Sequence, residues 1–239
     1  MHACEDEHGQ PLGIVHRNVS LSTIVFTWLG GVKLGDFSLA YSNLNGRRAT
    51  TVRRPRGSLF FTAPETLFDG KVEARSDLFA LGLVLLELAT GRHLYDPAHK
   101  NQTELAASLS PRGRRQVERT VKAAKRDGHD ATTQQALWGA AAFTREDVAR
   151  TADGLAAPLK SILDRMLRRK SEERFQTAAE LEDALRARLA VVGPYDGAAA
   201  VAELRKAVAE VGEALVAYEV TPRLLSPSPK HVSPEGSTR

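Results

Sequence analysis

With 239 residues, 42% hydrophobic and 26% charged, the chain has the composition of one soluble domain with an appendage. A formal charge of +4 is too small to argue for nucleic acid, and a single cysteine, Cys4, excludes an intrachain disulfide. Met1 to Pro11 is polar and acidic, without the basic start and apolar run of a secretion signal. The longest apolar stretch, Leu78 to Leu88, contains Glu87 and is too short to span a bilayer. The expectation is a cytoplasmic protein with neither membrane nor nucleic acid among its partners.

In chain order, Ile14-Val15, Ile24-Val25-Phe26 and Val32-Lys33-Leu34 read as short strands, and Gly30-Gly31 sets a hairpin between Ile24 and Leu34. Asp77 to Ala89 is apolar on nearly every face, the mark of a helix buried all round, and Gly91 is placed to cap it. Residues 101–145 are polar and basic. Leu159, Ile162, Leu163, Met166 and Leu167 recur at helical spacing. Thr177 and Glu180 form a capping box for a helix whose inner face is Leu181, Ala184, Leu185 and Leu189, ended by Gly193-Pro194. Residues 195–220 make an amphipathic helix. The Ser/Pro-rich tail, residues 221–239, has too little apolar surface to fold. The fold class is mainly α with short β-hairpins.

Four landmarks occur in a fixed order: His16-Arg17-Asn18; Asp36-Phe37-Ser38 after a strand; Gly57-Ser58 followed by Ala63-Pro64-Glu65; and Ser76-Asp77 at the opening of the buried helix. In that order they resemble the catalytic loop, metal-binding loop, activation segment and central helix of eukaryotic-type Ser/Thr protein kinases, with Gly13-Ile14-Val15-His16-Arg17 closest to bacterial members. Arg174 stands where the family pairs an arginine with the glutamate of Ala-Pro-Glu, here Glu65. The resemblance implies a C-terminal kinase-like lobe over residues 1–192, with 101–145 as a variable basic insertion. About fifteen residues precede the catalytic loop, so the Gly-rich loop and strand lysine have no counterpart, and the N-terminal lobe is expected to be missing.

The resemblance also assigns roles. Asn18 occupies the general-base position, where an amide cannot take a proton near neutral pH. Ser20 replaces the loop lysine, and Thr23 replaces the metal-binding asparagine with a poorer oxygen donor. Asp36 is the retained metal ligand. Ser38 stands in place of a glycine, which predicts an altered loop pose. His16, Arg17, Glu65, Asp77 and Arg174 are assigned structural roles, Asp77 as holder of the catalytic-loop backbone or cap of its own helix. Thr50 and Thr51, in an arginine-rich activation segment, are the candidate phosphate acceptors.

The expected function is therefore a truncated, inactive kinase-like domain that binds rather than catalyses, with no cofactor. The alternative is a Ser/Thr kinase moving the ATP γ-phosphate to protein hydroxyls, with ATP and Mg²⁺ as cofactors and its first lobe absent from this sequence. Candidate partner surfaces are an apolar patch around Ile14, Val32 and Leu34, which the missing lobe would have covered, and the 201–218 helix with its short heptad seam. The arginine- and lysine-rich segment 113–126 reads as a solvated helix, its apolar stripe thin at Val117 and Val121.

Overall fold

A computed structural model describes residues 1–43, 58–96, 101–193 and 195–211. Thr50, Thr51, the activation-segment arginines, Gly57, the tail from Thr221, and Leu215 and Tyr218 of the heptad seam lie outside the described residues. The described residues divide into two compact units, Met1–Thr27 with Gly31–Tyr195, and Trp28–Gly30 with residues 196–211.

The first unit is mainly helical. Strands β1 (Ile24–Phe26) and β2 (Val32–Leu34) pair antiparallel, with Ile24 opposite Leu34 and Phe26 opposite Val32. This is the hairpin that the β-branched runs around Gly30-Gly31 predicted. Ile14-Val15 does not join it. Val15 instead exchanges two backbone hydrogen bonds with Tyr41, of 2.9 and 2.8 Å, and so ties the catalytic-loop approach to the end of the metal loop.

Helices follow: α1 (Pro64–Asp69), α2 (Ala74–Thr90), α3 (Gln102–Ser108), α4 (Pro111–Arg126), α5 (Ala131–Ala142), α6 (Arg145–Thr151), α7 (Ala157–Met166) and α8 (Ala178–Val192). Helix α2 is the axis of the core, with Phe79, Leu83, Val84 and Leu86 all but inaccessible. Gly91 adopts the left-handed conformation that ends it, and the Gly91 N–H donates to Glu87 O. Ile162, Leu163, Met166 and Leu167 pack into the same core, as their spacing required.

Two differences from the sequence expectations have local causes. Asp77 is the fourth residue of α2, not its cap, because the helix opens three residues earlier behind Glu73. Leu189 is exposed although its spacing matches Leu181 and Leu185, because α8 runs on past the core in its final turns. The Thr177 hydroxyl does accept from the Glu180 N–H, but the Glu180 carboxylate accepts from Gln176 N–H, one residue before the cap.

The segment 101–145 contains α3, α4 and α5, which enclose a small core of Leu105, Val117, Trp138, Ala141 and Ala142. In the second unit, α9 (Gly197–Val211) buries Val201 and exposes Leu204 and Val208, and the Arg205 guanidinium stands 5.5 Å from the Trp28 ring centroid. Among the described residues no helix is long and apolar enough to cross a membrane.

Candidate functional site

The site is assembled around Asp77. Its Oδ2 accepts from the His16 N–H at 2.7 Å and its Oδ1 from the Arg17 N–H at 2.9 Å. One carboxylate on the central helix thus fixes the start of the catalytic loop, the scaffold role assigned to Asp77 by resemblance. His2 Nε2 also meets Asp77 Oδ2, at 2.9 Å, a contact with no signal in the sequence. His16 is fully buried. Its Nε2–H donates to Gly35 O at 2.9 Å, its Nδ1 accepts from the Asn18 N–H, and its ring meets Phe37 edge-on at 4.7 Å. It braces two loops and presents nothing to solvent.

Arg17 and Asp36 are the two non-glycine residues with positive φ among those described, at 64° and 55°. Such angles cost energy and persist where surrounding bonds over-determine them. Arg17 Nε donates to Leu39 O, and the Asp36 carboxylate receives the Ser38 N–H and hydroxyl. The strained position in the metal loop is therefore Asp36. Ser38, where the lost glycine predicted the distortion, sits in an ordinary short 3-10 turn, Phe37–Leu39.

Asn18 is bonded at both ends of its amide. Its Nδ2 donates to Asp36 Oδ2 at 3.3 Å, and its Oδ1 accepts from the Ser58 N–H at 3.1 Å. The amide satisfies both partners at once, which a carboxylate here could not, having no proton to give Asp36. Asn18 thereby links catalytic loop, metal loop and the resumption of the chain after the activation segment.

Thr23 and Ser20 are buried beneath this layer. The Thr23 hydroxyl accepts from the Ser20 N–H at 3.0 Å and faces Asn18 O at 2.9 Å and Ser20 O at 3.1 Å. Ser20 Oγ lies 3.0 Å from Ser22 Oγ. Both side chains are occupied in holding their own loop. Asp36 itself is exposed, and its carboxyl is held below the usual range by the Ser38 hydroxyl and N–H and then by Asn18, so it is ionised at neutral pH. Among the described residues no group of three or more His, Cys, Asp or Glu is placed to hold a metal ion. One exposed carboxylate is a thin donor set for Mg²⁺, which demands several oxygen ligands in near-octahedral order.

Away from the loops, Glu65 and Arg174 form a two-pronged ion pair, 2.8 Å at each prong. Arg174 is 1% exposed, and its remaining protons go to the carbonyls of Arg168, Arg169 and Arg75. Ser76 Oγ donates to Glu65 at 2.7 Å, and the Phe79 ring lies 4.5 Å beneath the guanidinium. Ser42, a further hydroxyl near the activation segment, is buried.

The model of the protein kinase domain family matches residues 7–185. The chain belongs to that family. Curated kinases similar to it include the tyrosine-protein kinase MasK of Myxococcus xanthus, 32% identical over 168 residues, covering 70% of this chain and 24% of the relative. The serine/threonine-protein kinase PrkC of Bacillus subtilis is 35% identical over 89 residues, 37% of this chain and 14% of the relative. The Arabidopsis thaliana serine/threonine-protein kinase BIK1 is 32% identical over 89 residues, 37% and 22% respectively. The chain spans about a quarter or less of the length of these relatives. Within it, Asp77 holds the backbone of His16 and Arg17, Glu65 pairs with Arg174, and the Asn18 amide is tied at both ends.

Proposed function

We propose that this kinase-family domain does not transfer phosphate and acts by binding other proteins in a bacterial cytoplasm, with no cofactor. The observation that carries this reading is Asn18. Catalysis of hydroxyl phosphorylation rests on a carboxylate that receives the hydroxyl proton. The Asn18 amide has no basic lone pair at neutral pH, and both its ends are committed to Asp36 and Ser58. Thr23 directs its hydroxyl into its own loop, while Asp36 faces solvent without a second carboxylate from that loop beside it.

That exposed, ionised Asp36 supports a second reading: a Ser/Thr kinase whose nucleotide-covering lobe comes from elsewhere, with ATP and Mg²⁺ as cofactors and protein hydroxyls as substrates. A thermal-shift titration with ATP and Mg²⁺, beside an Asp36→Ala control, separates the two. A ligand at a hundred times its dissociation constant stabilises by about 2.7 kcal/mol, which melting reads easily. The expected result is no shift in either protein. A shift that Asp36→Ala abolishes would overturn the cofactor-free reading and turn attention to a phosphate acceptor.

A further inference from the structure

Helix α4 shows two faces. Val117 and Ala124 are buried and Val121 packs behind them, so this side is anchored in the fold. Arg112, Arg115 and Arg119, spaced three and four residues apart, lie together on the other side and are exposed. They line one wall of an open groove of about 730 Å³ whose other wall is the C-terminal part of α1 with Gly70. Among the described residues none of the three has a carboxylate partner. Gln116 ties the two walls to each other: its Nε2 donates to Phe68 O and, at 2.9 Å, to Asp69 Oδ1. Asp69 is thus the one acidic side chain lining the groove, and it is engaged by Gln116.

We propose that this groove docks an acidic, extended segment of a partner protein. Guanidinium groups recognise carboxylates through two parallel hydrogen bonds, and three uncompensated ones in a single concave wall call for several such groups in a row. From Arg112 to Arg119 the helix rises roughly 10 Å, at about 1.5 Å per residue. An extended chain covers that distance in three to four steps of about 3.3 Å, and side chains on one side of it recur every second position. Three acids at alternate positions span four such steps, about 13 Å, a difference of one step that long guanidinium side chains can bridge, so the matching ligand carries three acids within about five residues. A nucleic acid fits less well. The half-buried Phe68 is the one aromatic side chain lining the groove, so successive bases have no row of rings to stack on, and Asp69 would repel a continuous phosphate backbone. The proposal concerns a surface remote in chemistry from Asn18 and holds whether or not the domain transfers phosphate.

The test uses the full chain and two labelled peptides, Glu-Ser-Glu-Ser-Glu and Gln-Ser-Gln-Ser-Gln, followed by fluorescence anisotropy at low and near-physiological salt. The glutamate peptide is expected to bind, and the glutamine peptide about tenfold more weakly or worse. The variant Arg112→Gln, Arg115→Gln, Arg119→Gln should lose at least about tenfold in affinity. The matched variant Lys122→Gln, Lys125→Gln, Arg126→Gln removes equal charge from the same helix outside the groove, and should stay within about twofold of the parent at near-physiological salt. Melting curves check that both remain folded, and Arg115→Gln alone, expected to lose about threefold, replaces the triple variant if it does not. Equal losses from both triple variants would overturn the proposal in favour of diffuse charge attraction. So would failure of the glutamate peptide to bind, or tighter binding of an oligothymidine or of phosphatidylserine vesicles with no response to the groove variant.

Discussion

Glu65 and Arg174 are 109 residues apart in sequence, yet they make the most completely bonded charged pair described in the first unit. Burial alone would raise the Glu65 carboxyl. The Arg174 guanidinium and the Ser76 hydroxyl outweigh it and hold the group below its ordinary value. The unfolded chain therefore binds this proton at a higher pH than the native state does. The pair's stabilisation is complete above the ordinary carboxylate range and is lost as pH falls through the depressed native value. Replacing Arg174 by Ala strands a buried carboxylate and is expected to cost about 3–5 kcal/mol in urea unfolding at pH 7. In Glu65→Gln the part of the acid-induced loss that belongs to this pair should vanish. An unchanged acid limb in Glu65→Gln would show that the pair is not the one that titrates. This pairing was legible in the sequence through the family pattern. The double attachment of Asn18 was not, because Ser58 is forty residues away and no periodicity brings it to the catalytic loop.

Elements were legible where one local signal was strong. The hairpin follows from its β-branched runs around Gly30-Gly31, α2 from an apolar run on every face and α7 from 3.6-residue spacing, and each lies where its pattern placed it. In the segment 101–145 only the basic helix at 113–126, with Val117 and Val121 as its stripe, was legible; α3, α5 and the core they share with it were not, because Leu105 and Trp138 stand far apart among polar residues. Close approach between elements is equally invisible in sequence. In α5, Gly139 faces the loop after α2, and a Cβ there would lie 2.9 Å from Tyr95 O and 3.2 Å from Tyr95 Cα. Alanine gains about 1 kcal/mol of helix propensity over glycine, but overpacking against backbone costs about 1–3 kcal/mol. Gly139→Ala is expected to melt lower than the parent, and a higher melting point would mean that the loop yields freely. The same loop carries His93, ringed by Phe60, Phe61 and Tyr95 at 5.3–5.5 Å. Burial lowers its pKa from 6.5 to about 4. The folded state keeps this imidazole neutral while the unfolded chain protonates it, so stability present above pH 6.5 is lost as pH falls toward 4. A shift of this size corresponds to about 3 kcal/mol. His93→Phe should remove about 2–3 kcal/mol of the stability difference between pH 7 and pH 4.5, measured by urea unfolding.

At the scale of the whole chain, the hairpin is the exposed element. Two strands of three residues each cannot form a stable sheet alone and here have no third strand beside them among the described residues. The sequence located the apolar face at Ile14, Val32 and Leu34. The structure leaves Val32 60% and Val25 51% exposed, one on each face of the hairpin, and half-buries Ile14 and Leu34. An apolar ribbon with free backbone edges attracts either a partner strand or a second copy of itself. The chain as it stands is therefore expected to associate with rising concentration in sedimentation velocity and to bind a hydrophobic dye. Val25→Thr with Val32→Thr retains β-branched side chains, and so the strand preference, while removing apolar surface from both faces. The double variant should sediment as a monomer at concentrations where the parent does not, with its melting temperature within a few degrees of the parent's because neither side chain is in the core. Association that survives both substitutions would move the self-contact away from the hairpin and onto another exposed surface, with the Leu204 and Val208 face of α9 the next to be substituted.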